Sequence, residues 1–131
     1  MISTKGRYAL RVMIDLAEHG QEAAVPLKDV ARRQDISKKY LEILVKTMVS
    51  GGLIVGAGGK GGGYRLTRAP EDYSVGEILE LMEGSLAPVA CLAENAAACP
   101  RAAICRTLPL WAEYKQITRD FFYQKRLSEL L

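Results

Sequence analysis

Apolar residues recur every three to four positions near the start of the chain. This spacing predicts a first helix that runs to about Glu18, with Ser3 or Thr4 as its N-cap. A short basic helix should follow from about Leu27 to Arg33. The buried positions expected in these two helices are Ala9, Val12, Met13, Leu16, Ala17, Val30 and Ala31.

A third helix has the most specific local signals. Ser37 can cap its N-terminus, and Ile36 and Leu41 stand where a hydrophobic staple forms across a helix start. Gly51 and Gly52 should end this helix, because glycine accepts the left-handed conformation found just past a C-terminus. Its expected apolar face is Leu41, Leu44, Val45, Met48 and Val49, which leaves Lys38, Lys39, Glu42 and Lys46 on the other face.

Two short strands joined by a glycine-rich segment come next. Residues 53–55 and 64–67 have strand character, and six of the 12 glycines lie between them in residues 56–63. The pattern predicts a β-hairpin with a flexible tip. The glycines formally fit a dinucleotide-binding pattern, but a strand rather than a helix follows them. Gly61 stands where a phosphate-binding P-loop needs Ser or Thr after Lys60, so a plain flexible hairpin is the remaining alternative.

Two more helices are expected towards the C-terminus. Ser74 and Glu77 form a capping-box pattern, and Tyr73 can staple onto Ile78, so a fourth helix should run to Gly84. An irregular, Ala-rich segment then contains the cysteines. A last helix from about Thr107 should carry the apolar stripe Leu110, Trp111, Tyr114, Ile117, Thr118, Phe121 and Phe122.

Length and composition limit the class of protein. A chain of 131 residues with 49% hydrophobic residues can bury the core of one domain. Since no run approaches the length of a membrane span and no signal-peptide pattern is present, we expect a cytoplasmic protein without a membrane partner. There is no nucleophile–base pair and no substrate-binding motif, which argues against an enzyme.

The basic residues are concentrated in the first half of the chain. Through Arg68 there are 12 Lys and Arg against 6 Asp and Glu, a net charge of +6, whereas the remainder has 6 against 9, a net charge of −3. Such asymmetry indicates that the N-terminal part meets a polyanion, although basic residues also simply solvate exposed helix faces.

The second and third helices can form a helix-turn-helix. Ala31 is small enough for close helix packing, and Asp35 can adopt a left-handed turn conformation. Lys38 and Lys39 then fall in the first turn of the third helix, which reaches base edges when such a helix enters the major groove. Lysine can donate to guanine or to phosphate, and Glu42 can accept from the cytosine amino group.

The hairpin would lie beside that helix as a wing. Its glycines allow the tip to approach phosphates closely, and Lys60, Arg65 and Arg68 supply positive charge. The charge asymmetry, the helix-turn-helix and the wing together indicate that the chain binds duplex DNA.

Cys91, Cys99 and Cys105 are grouped in the irregular segment. They contain no C-x-x-C pair, which argues against zinc ribbons and thioredoxin-like chemistry. Three thiolates are one short of a four-cysteine site, so a metal site needs a fourth ligand from this chain, a partner chain or a small molecule. Burial as small apolar residues is the alternative, and the charged neighbours of the cysteines disfavour it.

Several short motifs occur in one order along the chain. They are Lys5-Gly6-Arg7-Tyr8-Ala9, Ile36-Ser37 with Tyr40-Leu41-Glu42, Gly61-Gly62-Gly63-Tyr64, Val75-Gly76-Glu77-Ile78, and three cysteines before Trp111. In these motifs, which span essentially its whole length, the chain resembles the IscR- and NsrR-type regulators of the Rrf-two family. The resemblance implies a homodimer locked by the last helix, palindromic DNA sites and, in the three-cysteine branch, an iron–sulfur cluster that reports iron, redox state or nitric oxide.

The chain also departs from these relatives. IscR-like members have a histidine three residues after the last cysteine, where this chain has Leu108, so their 2Fe-2S ligand set does not carry over. Other relatives take the fourth ligand from the partner's first helix, where Tyr8 and Val12 offer no carboxylate. The expected cofactor is therefore an iron–sulfur cluster, 2Fe-2S or 4Fe-4S, with an unidentified fourth ligand.

We therefore expect a mainly α fold with a small β wing. It would comprise a winged helix-turn-helix domain over residues 1–84, a cysteine-containing loop over 85–106 and a dimerisation helix over 107–131. The expected DNA-binding residues are Lys5, Ser37, Lys38, Lys39, Tyr40, Glu42, Lys46, Lys60, Gly61 and Arg65. The expected cluster ligands are Cys91, Cys99 and Cys105, and the expected dimer contacts are Trp111, Tyr114, Ile117, Thr118 and Phe121. The alternative is a metal-free regulator of the same fold that responds to thiol oxidation, a small ligand or a partner protein.

Overall fold

The computed structural model describes residues 1–59 and 61–131. It is mainly helical with one two-stranded antiparallel sheet, which confirms the predicted fold class. The order of elements is α1 (Thr4–His19), α2 (Leu27–Gln34), α3 (Lys38–Ser50), β1 (Ile54–Ala57), β2 (Gly63–Leu66), α4 (Val75–Glu83) and α5 (Leu108–Gln124). Short 3₁₀ turns lie at Pro70–Asp72, Ala90–Leu92 and Leu127–Leu130. No helix in the described ranges is both long enough and apolar enough to span a bilayer.

The core lies between α1, α3 and α4. Met13 of α1, Met48 of α3 and Ile78 of α4 are fully buried in one cluster. Burial of each such side chain stabilises the fold by roughly 1.5–3 kcal/mol. Val49, predicted on the buried face of α3, is instead 41% exposed, because it lies at the edge of the stripe that Met48 and its neighbours bury.

Three local signals in the sequence form as predicted. The Ser37 hydroxyl accepts the amide of Tyr40 at 3.1 Å and so caps α3. Asp35 takes the left-handed conformation in the turn before it, with φ 52°. At α4, Ser74 Oγ accepts the Glu77 amide at 3.0 Å, and the Glu77 carboxylate accepts the Ser74 amide at 2.9 Å.

The start of α1 differs from the expectation, whereas the end of α3 confirms that the two glycines terminate that helix. Ser3 is the N-cap residue of α1, but its side chain makes no capping bond to the helix. Instead Glu83, at the end of α4, accepts the Ser3 hydroxyl at 2.6 Å and the amides of Ser3 and Gly6 at 3.1 and 3.0 Å. At the end of α3, Gly51 stays helical with φ −82°, and Gly52 is the left-handed residue with φ 76°.

The hairpin is joined to the segment before α2. The two strands pair from Ile54 with Leu66 to Ala57 with Gly63. Tyr64 of β2 also exchanges two backbone hydrogen bonds with Val25, at 2.8 and 2.9 Å. A Cβ on Gly63, which has φ 153°, would overlap the Val25 carbonyl, so only glycine allows this close approach.

Tyr73 closes the base of the hairpin. Its side chain is fully buried, and its hydroxyl donates to the Leu53 carbonyl at 2.7 Å. The same oxygen accepts the amides of Thr67 and Arg68 at 2.9 and 3.0 Å. One hydroxyl therefore holds the chain entering β1 against the chain leaving β2.

Helix α5 packs on α4 through one side only. Arg119 donates two hydrogen bonds to Glu80 at 3.2 Å each, and the Tyr123 hydroxyl donates to the same carboxylate at 3.1 Å. Gly76 of α4 lies directly under the Tyr123 ring, where a Cβ would overlap it. With 17 residues, α5 is about 25 Å long.

Candidate nucleic-acid interface

A buried carboxylate fixes α2 on α1. Asp15 is 1% exposed and accepts two hydrogen bonds from Arg33, at 3.0 and 2.8 Å, and one from Gln34 at 3.0 Å. Burial raises the pKa of Asp15, but the bonds from Arg33 and Gln34 outweigh it and hold the pKa below its ordinary value. A charged Asp15 therefore orients α2, and with it the turn that leads into α3.

The polar face of α3 points away from the core, as predicted. Lys38, Lys39, Glu42 and Lys46 are all exposed. Lys38 pairs with Glu42 one turn later at 4.0 Å, an exposed contact worth about 1 kcal/mol or less. The face is therefore a row of long polar side chains that can change partners when an anion approaches.

Tyr40 differs from these neighbours because it is half-buried against the core. Its ring meets Tyr8 of α1 edge to face, with 5.8 Å between the ring centroids. The two rings line a concave surface together with Thr4, Ser37 and the turn before α3. Tyr40 thus also positions α3 against α1, and Thr4 and Tyr8 border the interface without having been predicted in it.

The other predicted contacts lie around this helix. Lys5 is exposed on the first turn of α1, beside Thr4. Gly61 is exposed at the hairpin tip and Arg65 is exposed on β2. Lys60, the predicted cation of the tip, lies outside the described residues. The hairpin runs beside the C-terminal half of α3, where Lys46 and Tyr64 line the same shallow groove.

Arg68 does not supply free charge to the wing, contrary to the expectation. Its guanidinium donates to the Glu77 carboxylate and lies over the Tyr73 ring, 4.1 Å from the centroid. The hydrogen bond that Arg68 donates to Glu77 raises the pKa of Arg68. This arginine braces the hairpin base, because its partners are contributed by the chain that enters α4.

The cysteine segment is irregular and the three thiols are free. Cys91 is exposed, and Cys99 and Cys105 are half-buried. Within the described ranges no three metal-ligating side chains are close enough to hold a metal ion. In this conformation the three cysteines therefore do not fit an iron–sulfur cluster.

A salt bridge attaches the cysteine segment to the rest of the fold. The Glu94 carboxylate accepts the Ser85 hydroxyl at 2.8 Å, and Lys115 of α5 lies 3.4 Å from the same group. Lys115 also donates to the Leu92 carbonyl at 2.6 Å. The segment is thus attached between the end of α4 and the middle of α5, and its Leu86 also packs on Val75 and Leu79.

An apolar stripe on α5 is exposed to solvent. Five of its members are 36–62% exposed, and these are Leu110, Trp111, Tyr114, Ile117 and Phe121. Thr118 is half-buried beside them. The stripe lines a concave surface with Ile2 and Leu86. Phe122 is the exception, because it is half-buried against the cluster of Val75, Leu79 and Leu86.

Comparison with known proteins gives a consistent result. A sequence model of the Rrf2 family, described as "Iron-dependent Transcriptional regulator", matches residues 2–131. Protein rrf2 of Nitratidesulfovibrio vulgaris is 43% identical over 112 residues, covering 86% of this chain and 74% of that protein. The HTH-type transcriptional regulator IscR of Aliivibrio salmonicida is 35% identical over 130 residues, covering 99% and 76%. The structure of CymR, the global cysteine regulator of B. subtilis, superposes with a TM-score of 0.79 at 33% identity, covering 99% of this chain and 95% of that one.

Proposed function

The chain belongs to the Rrf2 family, a family of transcriptional regulators and not of enzymes, and from this premise we propose that it binds a palindromic duplex as a homodimer. Each protomer places α3 in a major groove and its hairpin along the neighbouring backbone. The cysteine segment, residues 85–106, receives the signal that changes DNA binding.

The main support for this proposal is the exposed polar face of α3. The opposite face of α3 is buried in the core, whereas Lys38, Lys39, Glu42 and Lys46 are exposed and available to bind a ligand. A major groove about 12 Å wide admits one helix, and lysine and glutamate can read base edges there. Ser37 and Tyr40 hold the start of α3, where the first base contacts would be made.

The remaining contacts would be made with phosphates. Lys5 on α1 and Arg65 on β2 are exposed, and Gly61 has no side chain that would keep a phosphate away from the backbone. Lys60 carries the charge of the tip in the sequence. Such contacts orient a protein on the duplex without reading its sequence.

The second copy would cover the stripe on α5. Contiguous exposed apolar surface on a soluble chain marks an interaction site, and Trp111, Tyr114, Ile117, Thr118 and Phe121 form such a surface. A two-fold axis through α5 pairs the stripe with itself. It would present two α3 helices to half-sites about one helical turn, roughly 34 Å, apart.

For the signal, an iron–sulfur cluster on Cys91, Cys99 and Cys105 is the first candidate, supported by the iron-dependent description of the family. The described conformation does not gather the three thiols, so a cluster could form only after this segment rearranged. The second candidate is a metal-free response of the thiols to oxidation, a small ligand or a partner protein, and three free thiols, one of them exposed, support it.

Variants on two exposed isoleucines test the dimer. Ile117→Asp places a charge in the stripe, whereas Ile104→Asp places one at a 66% exposed position in the cysteine segment. At micromolar concentration, light scattering should show a dimer for the wild type and for Ile104→Asp, and a monomer with weakened DNA binding for Ile117→Asp. A monomeric wild type would contradict the dimer.

Lysine variants test the proposed DNA contacts, and metal analysis tests the proposed cluster. Lys39→Ala should lose about 1–3 kcal/mol of binding free energy at one base position. Lys5→Ala should weaken binding to all sequences alike and reduce the salt slope by about 0.9.

Protein purified anaerobically should show iron and a visible absorption band. Colourless, iron-free protein that still binds DNA would rule out the cluster and leave DNA binding standing.

A further inference from the structure

The DNA-facing side of α3 contains one aliphatic side chain that the fold does not use. Ile43 is 57% exposed, although the other branched residues of the first three turns of α3, Leu41, Leu44 and Val45, are almost completely buried. Ile43 is absent from the core cluster and from the partly buried side chains that pack against it. Ile43 is therefore not part of the core that the described residues form.

The position of Ile43 is defined by its neighbours on the helix. Lys39 precedes it by four residues and Lys46 follows it by three, so all three side chains lie on one face of α3. Neither lysine is in an ion pair with any residue that the structure describes. An aliphatic group between two such cations is suited to a polyanion that also offers an apolar contact.

Duplex DNA has such a contact in its major groove. Of the four bases only thymine carries a methyl group there, and an aliphatic side chain recognises it by excluding water. We propose that Ile43 reads a thymine methyl group in each half-site, between the positions that Lys39 and Lys46 contact. This inference rests on the proposed function, and it adds an apolar specificity contact to the polar ones.

Removal of that methyl group from the DNA tests the contact directly. The probe is a duplex selected by the wild-type protein from a pool of random sequences, in which each thymine is replaced in turn by deoxyuridine. Fluorescence anisotropy at fixed salt gives the dissociation constant. In each half-site, replacement of one particular thymine should weaken wild-type binding about three- to tenfold, since burying a methyl-sized group contributes roughly that factor.

The Ile43→Ala variant should lose a similar factor on the thymine duplex and nothing further when deoxyuridine is placed at that position. It should unfold at the wild-type urea concentration, because the side chain is exposed. Val49→Ala is the matched control, an exposed aliphatic residue about 120° around the same helix, and it should keep the wild-type sensitivity to deoxyuridine.

Two results would overturn the inference while leaving DNA binding intact. One is a wild-type protein that tolerates every deoxyuridine within twofold. The other is an Ile43→Ala variant that retains the full deoxyuridine penalty. Failure to select any duplex from the pool would overturn the proposed function, and this inference with it.

Discussion

Replacement of Tyr73 by phenylalanine removes one oxygen from the fully buried base of the hairpin. The ring stays the same size, so the core keeps its packing and Arg68 keeps an aromatic face to lie over. What is lost is the donor to the Leu53 carbonyl and the acceptor for the amides of Thr67 and Arg68. Tyr73→Phe therefore isolates the hydrogen bonds that close the hairpin.

The magnitude follows from counting these bonds. A neutral hydrogen bond contributes about 1 kcal/mol net, and a buried group left without a partner costs about 1–3 kcal/mol. Leu53 is buried, and the Thr67 hydroxyl at 3.4 Å remains as a second donor to its carbonyl, whereas Thr67 and Arg68 are exposed residues whose amides lose an acceptor. We therefore expect Tyr73→Phe to lower the free energy of unfolding by about 2–4 kcal/mol.

Urea unfolding measured by circular dichroism at one protein concentration provides the assay, because the stability of a dimer depends on concentration. The slope of the free energy of unfolding against urea concentration should not change, since the variant buries the same surface on folding. Tyr64→Phe is the matched control, a half-buried tyrosine of β2 that packs on the core through its ring. A loss below about 1 kcal/mol in Tyr73→Phe would refute the account of the hairpin base.

Three further predictions concern the same scaffold. Gly63→Ala should lower stability by at least about 2 kcal/mol in urea unfolding, because its Cβ meets backbone that cannot move aside, whereas Gly58→Ala, whose Cβ would have no described atom within 4 Å, should cost under about 1 kcal/mol. Equal costs would contradict this. The hydrogen bonds that outweigh burial lower the pKa of Asp15, so its carboxylate stabilises the fold above about pH 4 and loses that contribution as the pH falls through the folded pKa. The stability deficit of Asp15→Asn at pH 7 should thus shrink below about pH 4, and a deficit independent of pH would argue against it. Gly76→Ala should destabilise the packing of α5 by about 1–3 kcal/mol and be partly rescued by Tyr123→Ala, and strictly additive losses would show that the two residues do not meet.

The sequence by itself determined the helices, the hairpin and the order in which they follow. The cap at Ser37, the capping box at Ser74 and the left-handed turn at Asp35 each depend on residues within four positions of one another, and all three form as expected. Local signals of this kind are readable because the partners are fixed by backbone geometry, whatever the rest of the chain does. The family resemblance rests on the same short motifs and is confirmed by the match over residues 2–131.

Only the tertiary structure decided how these elements are joined and which side chains are left free. Glu83 caps a helix that begins 79 residues earlier in the chain, and the Tyr73 hydroxyl serves both ends of the hairpin. Arg68, a predicted wing cation, is bonded to Glu77, and Ile43, which no pattern singled out, lies exposed on the polar face of α3. Such contacts depend on burial and on distances between residues remote in sequence, and neither is encoded in the spacing of residues along the chain.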